Sequence, residues 1–343
     1  MIANLMEKKR IKSMDFIRTI SVIMIIIFHF YVEAKAKGFT SSFDFILSQL
    51  GDFGVSFFII ISGGGLYLST MKGIKLLSFY RKRAGTIYPS FYLAYLAVSI
   101  FLYLTANRVV FLNDPLLMLI TILGFDGYLA SNIQNYYLVG EWFLGFIIII
   151  YLIYPLILKL FTYNKWLTLF TAVLISIICF KYNDTINANF PIWNKIDTWN
   201  PLVRLPEFIF GMIFFGFMIN DKRYTIFTLL ISSLIIAAYS IFGLNMIDYY
   251  KTPLFIAVAV VITYLYEYAI SFKIIDRLCL SLSALSFMAF LLHHQIIYAL
   301  SKNGIMQNMD EYNLFYGFAM VLIITFVSAY LLENVVQKIK KNF

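Results

Sequence analysis

Apolar residues fall into ten long runs separated by short polar gaps, at about 15–31, 51–68, 86–104, 141–161, 166–180, 202–219, 225–243, 253–270, 282–300 and 314–332. A bilayer core takes about 20 residues of helix, so the pattern predicts ten transmembrane helices, the fifth being the shortest. Leu116–Phe125 is apolar too. Ten residues cannot cross as a helix, so this stretch reads as interfacial or re-entrant. It precedes a polar loop from Asp126 to Asn135.

Composition agrees with the runs. Apolar residues make up 61% of 343, charged residues 13%, and mean hydropathy is +0.82. The fold class expected is all-α, a polytopic membrane helix bundle forming one domain over residues 1–343. Two cysteines, Cys179 and Cys279, provide no disulfide framework and no zinc spacing. With only His29, His293 and His294 available, a His-rich metal site is not expected.

Charge sets the topology. With the N-terminus inside, the inner segments hold 18 lysines and arginines and the outer ones 7. That bias places both termini in the cytoplasm. It also accounts for the net charge of +9 without a nucleic-acid partner. Span one has the basic start of a signal peptide, but Arg18 interrupts it and nine spans follow, so retention is expected.

The membrane-embedded polar groups carry the candidate chemistry. Arg18 and His29 are eleven residues apart, three helical turns plus roughly 20°, so they share one face about 16 Å apart. Both need protein or water around them, unless Arg18 snorkels to the interface and His29 only caps the helix. Gly63, Gly64 and Gly65 in span two permit close backbone approach to a ligand or a neighbouring helix. Arg81, Lys82 and Arg83, followed by Tyr88, make a basic loop for a phosphate-bearing ligand or for anionic lipid. Glu141 opens span four beside Trp142, at the depth of His29. Arg204 and Glu207 straddle Leu205-Pro206 at the start of span six. Ser286, His293 and His294 lie in span nine, and of two adjacent histidines one is expected to point away. No serine elbow, Walker loop or His-Glu-x-x-His is present, so direct transfer aided by a histidine base is the simplest chemistry.

These residues resemble the integral-membrane acyltransferase family 3. Its hallmark is an arginine and a histidine with ten residues between them in span one, here Arg18 and His29. Five blocks follow in family order: Phe53–Gly63, Arg81–Pro89, Trp142–Pro155, Arg204–Met212 and Ser286–His293. The chain departs from the pattern at Ile147, where many members have glutamate, and at Thr86, Phe287 and Phe290. The departures resemble the branch found in capsule and poly-N-acetylglucosamine operons.

The resemblance implies a multi-pass protein of the bacterial cytoplasmic membrane. It implies transfer of an acetyl or succinyl group from acyl-CoA to a hydroxyl of a cell-surface or lipid-linked polysaccharide, beside polysaccharide synthesis machinery. Acyl-CoA would be a substrate, and no cofactor would be permanently bound. Arg18 and His29 would be catalytic, His29 as base. Arg81, Arg83 and Tyr88 would meet the donor, and Glu141, Trp142, Arg204, Glu207 and His293 the acceptor. The alternative is an exporter of polysaccharide or lipid-linked sugar.

Overall fold

The computed structural model describes residues 11–107, 114–220, 222–242, 251–270, 272–303, 306 and 310–341. Lys8, Lys9, Arg10 and Arg108, counted in the charge bias, lie outside them. Each of the ten apolar runs forms a helix: α1 (Lys12–Ala36), α2 (Asp44–Thr70), α3 (Leu76–Ala106), α6 (Glu141–Tyr163), α7 (Lys165–Lys181), α9 (Leu205–Asn220), α10 (Lys222–Phe242), α11 (Thr252–Leu265), α12 (Lys273–Lys302) and α13 (Glu311–Lys341). Three short helices join them: α4 (Met118–Ile122), α5 (Asp126–Leu129) and α8 (Asn183–Asn189). Among the described residues there is no strand. In a lipid core a helix satisfies every backbone group within the segment, so this all-α architecture is what the composition dictates.

Among the described residues, seven helices rather than the expected ten are long and apolar enough to cross a membrane. α7 and α8 make an eighth if that pair, bent by 73°, is one span. The apolar stretches of α9 and α10 are shorter, Leu205–Met218 and Ile226–Ile241. Asn164 separates α6 from α7, and its side chain accepts from the amides of Trp166 and Leu167, starting the second helix where the first stops. The chain therefore reverses within one residue.

α1 is central. It packs along α2 and α12, and touches α11 and α13. The tightest crossing is between α2 and α9. A Cβ on Gly63 would overlap the Phe208 carbonyl, and one on Gly211 would overlap the Ile60 carbonyl. The glycines of span two therefore serve helix packing, with small residues letting two backbones touch.

The 116–125 stretch does not cross as one helix and packs against α3. Tyr88 and Tyr92, near the middle of α3, donate their hydroxyls to the carbonyls of Leu123 (3.1 Å) and Ile122 (2.7 Å). α4 is thus hung alongside a spanning helix by two phenols that satisfy its last carbonyls. Beyond it, a net of asparagines roofs this end of the bundle. Asn200 accepts from Tyr128 (2.7 Å) and from the Asn194 amide (2.9 Å), and Asn132 donates to the carbonyls of Pro191 and Trp193. The net ties the 126–140 segment to the 183–204 segment and fixes Trp199 over the helices.

The glycine crossing yields a test with an internal control. Gly211→Ala is expected to destabilise the protein by about 1–3 kcal/mol through overpacking. Gly85→Ala, where a Cβ meets nothing within 4 Å, is expected to be neutral or stabilising by up to about 1 kcal/mol from helix propensity. Thermal unfolding in detergent of both variants reads the difference.

Candidate functional site

The roofed end of the bundle gathers all three histidines around one carboxylate. His29 comes from the far part of α1, Glu141 from the first residue of α6, and His293 and His294 from α12. His29 Nε2 lies 3.2 Å from Glu141 Oε2. His293 Nε2 lies 2.8 Å and His294 Nε2 3.0 Å from Oε1. The imidazoles also pack on one another, with centroids 4.2 Å apart for His29 and His294 and 4.7 Å for His293 and His294. This corrects the expectation that one of the adjacent histidines points away. Their Cβ directions diverge by about 100° around α12, but Glu141 stands in the sector between them and both rings turn onto it. The sequence offered too few histidines for a metal constellation, yet here all three share a point with a carboxylate.

Local backbone geometry places that carboxylate. Gly140 has φ +91°, and Glu141 itself has φ +39°, in the left-handed region that a glutamate seldom enters. Such a conformation persists only where the surroundings enforce it. Here Gly127 of α5 presses directly on the Glu141 backbone, where a Cβ would overlap the carbonyl. The roof segment thus holds α6's first residue in the one position from which its side chain meets α1 and α12.

A cavity of about 510 Å³ opens onto the cluster, lined among others by His29, Glu141, His294, Asp52, Trp142 and Arg204. Trp142 stacks on Trp199, with rings 5.3 Å apart and nearly parallel. Arg204 is buried and forked onto Glu207 at 3.1–3.2 Å, with Ser56 accepting from the same guanidinium. Glu207 is 1% exposed and is absent from the cavity wall. Of the residues expected to meet the acceptor, Glu207 and the fully buried His293 do not line the cavity; Glu207 pairs with Arg204 and His293 lies against Glu141. Arg204, Trp142 and Glu141 do face the cavity.

Sequence reasoning passed over Asp52 and Tyr137, which also line it. The available signal was Asp52's place within the second apolar run, since an ionisable group there calls for a function or a partner. The carboxylate beside His29 is Glu141. Ile147, at the family's usual glutamate position, is buried among apolar neighbours.

The opposite end of α1 carries a second polar group. Arg18 stands 3.9 Å from Asp15, whose carboxylate accepts from Ser283 of α12 at 2.9 Å. Arg83 lies over the rings of Phe79 and Tyr151, 5.7 Å from each centroid, and Tyr151 is within electrostatic reach of both Arg83 and Arg18. The structure thus brings Arg18 and Arg83 together around Tyr151. Arg81 is exposed. Tyr88 is five residues beyond Arg83, about 140° around the helix. Its hydroxyl donates to the Leu123 carbonyl, so it turns away from the Arg18–Arg83 group it was expected to join.

A family model described as an acyltransferase domain (Acyl_transf_3) matches residues 11–334. No curated protein and no solved structure matches the chain.

The roof holds a buried carboxyl outside the spans. Asp126 is fully buried; its Oδ1 accepts from the Gly127 amide at 2.9 Å and its Oδ2 has no hydrogen-bond partner. Burial pushes its carboxyl up from 3.8 to about 7. The folded chain therefore keeps this proton after the unfolded chain has released it. The stabilisation is complete below about pH 4 and is lost as pH rises through 7. The melting temperature is expected to fall across that window by the equivalent of a few kcal/mol. In Asp126→Asn the slope is expected to flatten. A pH series of melting curves on the two proteins reads it.

Proposed function

The chain belongs to the acyltransferase-domain family that its residues 11–334 match, and on that premise we propose that this membrane acyltransferase moves an acetyl or succinyl group from acyl-CoA to a hydroxyl of a cell-surface or lipid-linked polysaccharide, with His29 as general base. The observation that carries the reading is the contact of His29 with Glu141 on the wall of a cavity, on the helix that bears Arg18 about 16 Å away.

The two ends of α1 divide the work. Arg18 and Arg83 give the donor's phosphates two guanidiniums at the basic end, where planar forked donors suit phosphate. The thioester arm reaches along α1 toward the cavity. There His29 Nε2 takes the proton of the acceptor hydroxyl, and the oxygen attacks the thioester carbonyl. The carbon–sulfur bond then breaks, and coenzyme A leaves as the thiolate and takes up the proton. Glu141 holds the imidazole in place and stabilises it while charged, as a carboxylate does behind a histidine base in hydrolases. Arg204 supplies a fixed positive charge near the developing oxyanion. The Trp142–Trp199 stack offers a flat apolar face for a sugar ring.

His29→Ala is expected to lower acyl transfer by about 10²–10⁴-fold, the usual contribution of a positioned base. The readout is ester-linked acyl on surface polysaccharide, by mass spectrometry, from cells carrying the intact, deleted or His29→Ala gene. Polymer retained inside with unchanged acylation would favour the exporter and sink the proposal. In membranes, Arg83→Ala is expected to raise the KM for acyl-CoA more than it lowers kcat, because it removes a contact with a part of the donor that does not react.

A further inference from the structure

Glu141 Oε1 and His293 Nε2 lie 2.8 Å apart with no hydrogen bond between them. His293 Nδ1 lies 2.7 Å from the Phe290 carbonyl. A carbonyl oxygen only accepts, so Nδ1 carries the proton, and in the neutral ring Nε2 is left with a bare lone pair. That lone pair faces Glu141 Oε1 at 2.8 Å, two acceptors against each other. The pair is not aligned as a hydrogen bond, and both atoms are buried without a hydrogen-bond partner. His294 Nε2 approaches the same oxygen at 3.0 Å. Two nitrogens and a carboxylate oxygen converging in this way call for a cation between them. A proton on His293 would need the in-line geometry that is missing.

We propose that Glu141, His293 and His294 hold a divalent transition-metal ion of the zinc type, with the fourth position open beside His29. The donor set is chemically right: imidazole nitrogens and one carboxylate are usual zinc ligands, and three protein ligands with an open or exchangeable fourth place mark a catalytic rather than a structural site. The dimensions also fit. An ion 2.0–2.2 Å from each tetrahedral ligand needs ligand atoms about 3.3–3.6 Å apart, and the donor atoms of these three residues and of His29 all lie within 4.8 Å of one another. The closer pairs separate by a few tenths of an ångström when the ion enters. The bond from His293 Nδ1 to a backbone carbonyl is the outer-shell contact that fixes a metal-binding tautomer. Of the four, His293 is sealed from solvent, whereas His29 and His294 open on the cavity. A hydroxyl entering there would reach the ion and His29 together.

This goes beyond the proposed transfer reaction, and its test does not use activity. Protein without a histidine tag, purified in detergent, is analysed for metals by mass spectrometry. It is then stripped with chelator and reloaded with Zn²⁺ or Co²⁺. The expected result is about one ion per chain and, with Co²⁺, the intense visible bands of a four-coordinate nitrogen–oxygen site. His293→Ala and His294→Ala are expected to lower occupancy tenfold or more. Folded wild-type protein that takes up neither ion overturns the proposal. So does an ion retained at full occupancy in both variants, which would place it elsewhere. Should the variants fail to fold, the cobalt spectrum of the wild type decides alone. Failure leaves the acyl-transfer reading standing on the His29→Ala assay, and loss of acyl transfer in that assay says nothing about metal content.

Discussion

A carboxylate buried at one end of a membrane bundle has to be met by positive charge or by donors, because lipid and apolar side chains offer neither. Glu141 is met by three imidazoles from two helices, and much of the architecture follows from that requirement. α1 and α12 must lie against each other so that His29, His293 and His294 reach one point. α6 must begin at that depth, with its first residue in a left-handed conformation. The roof must press on that residue, which is why Gly127 stands where any side chain would collide.

The basic end obeys the opposite rule. Arg18 has Asp15 at 3.9 Å, but Arg83 lies over the rings of Phe79 and Tyr151 rather than against a carboxylate, so it keeps much of its positive field for an incoming anion. Arg204, by contrast, has its own acid in Glu207 and is fixed in direction. The glycine crossing of α2 and α9 matters here, because it brings Ser56 within reach of Arg204. One guanidinium group is left available and the other is locked, and the difference lies in whether a buried acid sits three residues away.

Much of the fold was legible because lipid makes sequence local. A run of apolar residues must be a helix in a membrane, so all ten helices could be placed from hydropathy, and ten residues at 116–125 were too few to cross. Arg18 and His29 were legible for the same reason, since one helix's periodicity fixes their common face. The unread parts depend on contacts between distant segments. That His293 and His294 both reach Glu141 depends on how α12 is rotated against α6. Asp52 joins the wall through the crossing of α2 with α1. Tyr88 looked like part of the basic block because it is near Arg83 in sequence, but the turn of α3 sends it to the 116–125 stretch. The asparagine roof has no periodic signal at all.

The convergence at Glu141 also sets a condition on biogenesis. Chains enter the membrane from the N-terminus as they are made, and the three elements that meet there are the first helix, one from the middle and the last but one. Until α12 is inserted, His29 and Glu141 face each other with two of the three imidazoles missing, and the buried acid is under-compensated. The nascent protein therefore carries an under-compensated charge from the synthesis of Glu141 until that of His293 and His294. Completion of the site therefore waits for α12, so a chain cut short before it keeps the packing of α1, α2 and α9 but lacks two of the three imidazoles at Glu141.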